Sequence, residues 1–407
     1  MRCDRCEAAN PELAEFCWRC GRALNHAHDG GDRDDAYAMQ PSEHVAQLAL
    51  ISTLLPHTNR RVANEYRWGL IVGAAMALLL AVVGLLAPAV MIAAFLIPVT
   101  YVVFAHDVDL WEERPGGTLA AMYLLSAAGA AAVSLVFFRW FGEDAFAGML
   151  FSGADTDRGG LGALSVGALL LFGLALPAIA ELVREVGPVL LVRQPRFDDM
   201  IDGFTFGMAS GAAYAAFETV ITFGVLFTVG VHSNDALTTW IVLILNLMIV
   251  KPVIYGCASG MAVAAFSGRG EGYDGFTFRY VRQLLVAIAV NIAYWLGIRL
   301  LAPAPYGSAL GLLWGALLAA ALLVRTRVVL HAAVLEAAVE DAAQGRRSKW
   351  ATTDIGYCAE CEHALLPDSL FCIVCGSSTR ASSITARRDA RNPAQPAATG
   401  ADTAGAQ

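Results

Sequence analysis

Residues 66–105 read YRWGLIVGAAMALLLAVVGLLAPAVMIAAFLIPVTYVVFA, and after Arg67 this stretch carries no charged side chain. A helix that crosses a bilayer needs about 20 consecutive apolar residues. The stretch is long enough for two such helices, at 67–87 and 89–105, divided at Pro88 and with Pro98 inside the second. Working outward, further apolar blocks lie at 117–138, 161–182, 203–229, 237–266, 281–301 and 306–324. The expected fold is therefore an all-α polytopic membrane protein of about eight transmembrane helices. The block at 237–266 is interrupted by Lys251-Pro252, but half of it would be too short to cross. It reads as one long helix kinked at the proline.

Composition points the same way. Of 407 residues, 57% are hydrophobic and 16% charged, where a soluble domain carries about 25% charge. The net charge of −8 comes with no dense basic surface, which argues against a nucleic-acid partner. The first apolar block begins near Trp68 behind a polar start, so it reads as an uncleaved anchor in the lipid bilayer. With the N-terminus inside, twelve arginines flank the inner ends of the blocks, against Arg139, Arg158 and Arg299 outside. That bias predicts a multi-pass protein of the cell membrane with both termini cytoplasmic.

Outside residues 66–327 the chain changes character. Eight of its nine cysteines form CxxC pairs confined to the ends. Cys3, Cys6, Cys17 and Cys20 lie in residues 1–24, and Cys358, Cys361, Cys372 and Cys375 lie in residues 357–377. The spacing CxxC-x10-CxxC is the same in both, as are the companions Glu7 and Glu362, Phe16 and Phe371, Gly21 and Gly376. One module is used twice. Two CxxC turns aim four thiolates at one centre, and zinc is the usual occupant of such a site. The expectation is two small zinc ribbons and about two structural Zn2+ per chain, closed to substrate and suited to docking a cytoplasmic protein. Disulfides are the competing reading, disfavoured in a reducing compartment. Cys257 stands alone in an apolar block and reads as a small core residue. Between the modules and the membrane domain lie a polar, flexible linker (25–65) and a cytoplasmic helix with its linker (328–356). The tail 378–407 has the composition of a disordered segment.

Ionisable groups inside apolar blocks are costly and mark functional candidates. Glu181 and Arg184 stand three residues apart at the end of the fourth block, where they can pair at the interface. In the fifth block Gly203, Gly207, Gly211 and Ala215 form a ridge of small residues, and Glu218 projects from the same face. Lys251, Tyr255 and Ser259 share a face of the sixth helix, and Asn291 lies midway along the seventh. A buried Glu218–Lys251 ion pair is one reading of this set, and a functional site is the other.

Here the chain resembles the PrsW family of intramembrane proteases, within the CAAX-protease-like group. The stretch Pro177 to Arg184 is similar to that family's Glu-Glu-x-x-Lys helix. The stretch Arg196 to Phe204, with Gly207, Gly211 and Phe217-Glu218, is similar to its second motif. The resemblance implies hydrolysis of peptide bonds in membrane-anchored proteins, with Glu181, Glu218 and Asn291 as the catalytic candidates. A glutamate would serve as general base, and Asn291 or Tyr255 would donate to the oxyanion. The chain departs from the family at decisive positions. Ala180 replaces the first glutamate, Arg184 the lysine, Thr219 the asparagine after Glu218, and Tyr255 and Ala287 stand at the histidine positions. No histidine is central in an apolar block, so no catalytic metal is expected. The alternative is a pseudoprotease, a membrane scaffold or sensor that holds membrane partners and recruits cytoplasmic ones through its ribbons.

Overall fold

The computed structural model describes residues 1–4, 6–21, 24, 50–55, 60–107, 116–151, 166–194, 197, 199–224, 237–268, 274–343, 358, 361, 363–366 and 369–376. The expected tail at 378–407 and most of the linker at 25–65 lie outside them.

Among the described residues, eight long helices follow the order of the apolar blocks, after a short α1 (Leu50–Leu54). They are α2 (Arg60–Val82), α3 (Leu86–Asp107), α4 (Gly116–Phe151), α5 (Leu176–Val192), α6 (Met200–Thr222), α7 (Leu237–Ser267), α8 (Phe278–Leu301) and α9 (Gly307–Ala343). Among the described residues, five helices are long and apolar enough to cross a membrane: α3, α4, α7, α8 and α9. This is fewer than the eight spans expected. The apolar part of α2 is only Tyr66–Val82. α5 carries Glu181, Arg184 and Glu185, and α6 carries Asp202, Glu218 and many small residues. α5, of 17 residues, is also short for a span.

Local sequence explains the helix ends. Gly84 adopts φ +86°, a left-handed conformation that suits glycine, and Leu85 N–H reaches back to Leu80 O at 2.8 Å. That closes α2 and turns the chain tightly into α3. Thr277 caps α8, its hydroxyl oxygen accepting from Tyr280 N–H at 3.3 Å.

Two helices contain a π-helical stretch, and each stretch runs directly into a proline. Leu169–Ala175 precedes Leu176-Pro177, and Asn246–Val250 precedes Lys251-Pro252. Proline lacks an N–H and its ring crowds the carbonyl four residues back, so the turn before it widens. Lys251 N–H accordingly bonds Asn246 O, five residues back. The expected single helix at 237–266 is thus found unbroken, with a widened turn at the kink. The same device carries the fourth apolar block onward to Val192. Glu181 and Arg184, expected at an interfacial helix end, instead sit within the helix and are fully buried.

The centre of the bundle is the contact between α6 and α7. A Cβ at Gly207 would lie 2.6 Å from Ser259 O, and one at Gly211 would meet the backbone of Tyr255 and Gly256. The glycine ridge therefore packs on the backbone of α7, as small residues allow between membrane helices.

The two four-cysteine modules are paired with each other by a near two-fold relation. Ile373 O accepts from the N–H groups of Glu15 (2.9 Å) and Phe16 (3.0 Å). Trp18 O accepts from Leu370 (3.0 Å) and Phe371 (3.0 Å). Trp18 and Ile373 each follow the third cysteine of their module. Leu370 and Phe371 join the same buried apolar cluster as Leu54, Leu55, Phe104 and Leu330, which seats the pair against one end of the bundle. α1, with Leu54 and Leu55 buried, therefore anchors part of the segment expected to be a flexible linker.

Candidate functional site

Among the described residues, two charged centres flanking the α6–α7 contact each bring a cation near the Tyr255 ring. In the first, the Glu181 carboxylate takes hydrogen bonds from three helices. Arg184 Nη2 and Asn291 Nδ2 (2.9 Å) donate to Oε2, and Ser259 Oγ (2.9 Å) donates to Oε1. Glu181, Ser259 and Asn291 are completely buried. The Arg184 guanidinium lies over the Tyr255 ring at 3.8 Å and is 5.3 Å from that of Tyr214. Such cation–π contacts replace hydration that a buried cation has lost. Tyr255 is itself fixed, its hydroxyl accepting from Trp295 Nε1 at 2.8 Å.

In the second centre, Lys251 Nζ lies 2.8 Å from Glu218 Oε2 and donates to Thr219 Oγ1 at 3.0 Å. Its ammonium is 5.7 Å from the Tyr255 ring. The ion-pair reading of Glu218 and Lys251 matches this geometry. Of the three candidate residues, Glu181 and Asn291 are in direct contact, while Glu218 is paired with Lys251. Ala287 packs with Ala258 and Ala262, and its backbone carbonyl accepts from Asn291 Nδ2 at 2.9 Å.

Sequence reasoning passed over Glu185. It is 3% exposed, and among the described residues neither carboxylate oxygen has a hydrogen-bond partner. Its signal was available, since Glu181, Arg184 and Glu185 fall on one helical face at i, i+3 and i+4. The mistaken helix end had moved that face to the interface. Ser210, also passed over, ties α6 to α5 by donating to Arg184 O at 2.8 Å, and stands 3.0 Å from Ser126 Oγ of α4.

Chemically, a general base needs an unengaged lone pair within reach of a water. Glu181 offers its oxygens to three donors, one of them a cation.

The terminal modules are two four-cysteine groups, the ligand atoms of each lying within 4.8 Å of one another. The closest sulfur pairs are Cys3–Cys20 (3.6 Å), Cys6–Cys17 (3.6 Å), Cys358–Cys375 (3.5 Å) and Cys361–Cys372 (3.6 Å). Four sulfurs about 2.3 Å from one tetrahedral ion stand about 3.8 Å apart, so both groups fit a metal. Asn10 Nδ2 donates to Cys17 Sγ at 3.5 Å, the outer-shell support that ligating groups need. The third cysteine is shifted down in both modules. Hydrogen bonding from Cys20, then from backbone N–H groups, holds Cys17 down at about 4. Cys358 and Cys375 hold Cys372 down at about 2. Burial pushes Cys6 up to about 11 and Cys361 up to about 12.

No family model, curated protein or solved structure matches the chain.

Proposed function

We propose that this protein is a non-catalytic membrane scaffold of PrsW-like architecture, in which a zinc-ribbon pair recruits a cytoplasmic protein. The observation that carries the reading is the state of Glu181. The side chain best placed to be a general base is engaged by Arg184, Asn291 and Ser259. An arginine in the position of the family's lysine supplies the positive charge there. Glu218 is occupied by Lys251 in the same way.

The pairing of the terminal modules supports a further part of the reading. Modules that bond each other lie on one side of the membrane, which requires an even number of crossings. The five strongly apolar helices need partners to reach an even count. Eight crossings result when α2, α5 and α6 also span, the latter two with their charges turned inward. By the arginine bias the ribbons are cytoplasmic. Zinc is the metal that four-thiolate sites of this spacing usually hold.

The test is proteolysis in reconstituted vesicles containing a set of single-span membrane proteins. Neither wild type nor Glu181→Gln is expected to release peptide fragments by mass spectrometry, and the variant should differ only in thermal stability. Cleavage within a membrane segment by wild type, absent in Glu181→Gln, would refute the scaffold reading.

One observation favours a second reading. Glu185, buried next to Glu181 and facing Tyr280, is a second carboxyl candidate for the base. In the same assay, cleavage that survives Glu181→Gln and disappears in Glu185→Gln would select it.

A further inference from the structure

We propose that the two four-cysteine sites form one linked metal clasp, so that zinc in either ribbon raises the affinity of the other. Each module is too small to bury a core of its own, and metal binding supplies most of the folding of such modules. What each lacks, the other provides. Phe16 of the first packs where Gly376 of the second leaves space, and Phe371 packs against Gly21. A Cβ at Gly21 would lie 2.8 Å from Phe371 Cδ1, and one at Gly376 would lie 2.7 Å from Phe16 Cδ1.

The four cross-module hydrogen bonds all involve residues beside the third cysteine. Glu15, Phe16 and Trp18 bracket Cys17, and Leu370, Phe371 and Ile373 bracket Cys372. The backbone geometry that presents a ligand to one metal is thus the geometry that receives the other module. A ribbon without metal loses that geometry and withdraws both an aromatic ring and two hydrogen bonds from its neighbour. Binding energy at one site is thereby spent partly on ordering the other, the thermodynamic definition of coupling. The clasp ties the beginning of the chain to its end, and stripping either metal releases both.

Full-length protein loaded with zinc and titrated with a competing chelator tests this. Cys372→Ser with Cys375→Ser removes the second site, and the first is then expected to bind zinc roughly 5- to 150-fold more weakly. Cys17→Ser with Cys20→Ser should weaken the second site by the same factor, because coupling is reciprocal. A remaining site with the affinity it has in wild type, in either variant, overturns the proposal. Phe16→Ala with Phe371→Ala keeps every thiolate and removes only the shared packing. Wild type should release its two zinc ions in one cooperative step, and this variant in two independent steps. Cooperative release that persists without both rings, or independent release in wild type, also overturns the linkage.

Discussion

Arg184→Met is expected to destabilise the helical domain by about 3–5 kcal/mol, the usual cost of removing one partner from a buried ion pair. Methionine fills much of the same volume, so the loss comes from charge and not from a cavity. Without the guanidinium, Glu181 keeps only the neutral donors Ser259 and Asn291, and Glu185 remains beside it in a fully buried setting. Tyr255 loses the cation that lies over its ring at 3.8 Å. Equilibrium unfolding of the protein in nanodiscs, followed by tryptophan fluorescence, measures the effect. Arg193→Met is the control, since Arg193 is exposed and stands 5.9 and 5.5 Å from the rings of Phe266 and Phe276. It should cost well under about 1 kcal/mol. Equal losses for the two arginines would mean that Arg184 has no special partner.

Gly207→Val is expected to cost about 3 kcal/mol or more, at the upper end of overpacking penalties. The nearest atoms to the new side chain would be backbone, with Ser259 O at 2.6 Å and Gly260 Cα at 2.8 Å. Backbone cannot rotate away, so α6 and α7 must separate. Ser259 also donates to Glu181, so the displacement reaches the charged centre. Gly117→Ala, at a position with no atom within 4 Å of the added Cβ, should leave stability nearly unchanged. The same unfolding measurement distinguishes them, and a small effect at Gly207 would contradict the close approach of the two helices.

Much of this arrangement was legible before any coordinates. Apolar blocks and their breaks placed the eight long helices in order, because bilayer thickness sets the length of each run. The four-residue glycine spacing identified the face of α6 that meets α7, since small residues have one main use on a membrane helix. The CxxC spacing identified the two four-cysteine groups that could hold a metal. What sequence spacing could not give was phase across a widened turn. The π-helical stretches before Pro177 and Pro252 alter which side chains face inward, and helical periodicity assumes they do not exist. Partner choice between helices was equally hidden. Glu181 lies 110 positions from Asn291, and no local pattern joins them. The pairing of the cysteine modules was visible only as repeated companions. Phe16 and Phe371 recur because each serves the other's module.

The claim that the charges inside the domain are locked as structural partners is tested most directly by a double-mutant cycle on Glu181 and Arg184. Stability is measured for wild type, Glu181→Gln, Arg184→Met and the double variant. If the two form a buried pair, the double variant loses less than the sum of the single losses, with an interaction energy of about 1–3 kcal/mol. Losses that add, to within about 0.5 kcal/mol, would mean that Arg184 does not hold Glu181 and would contradict the account.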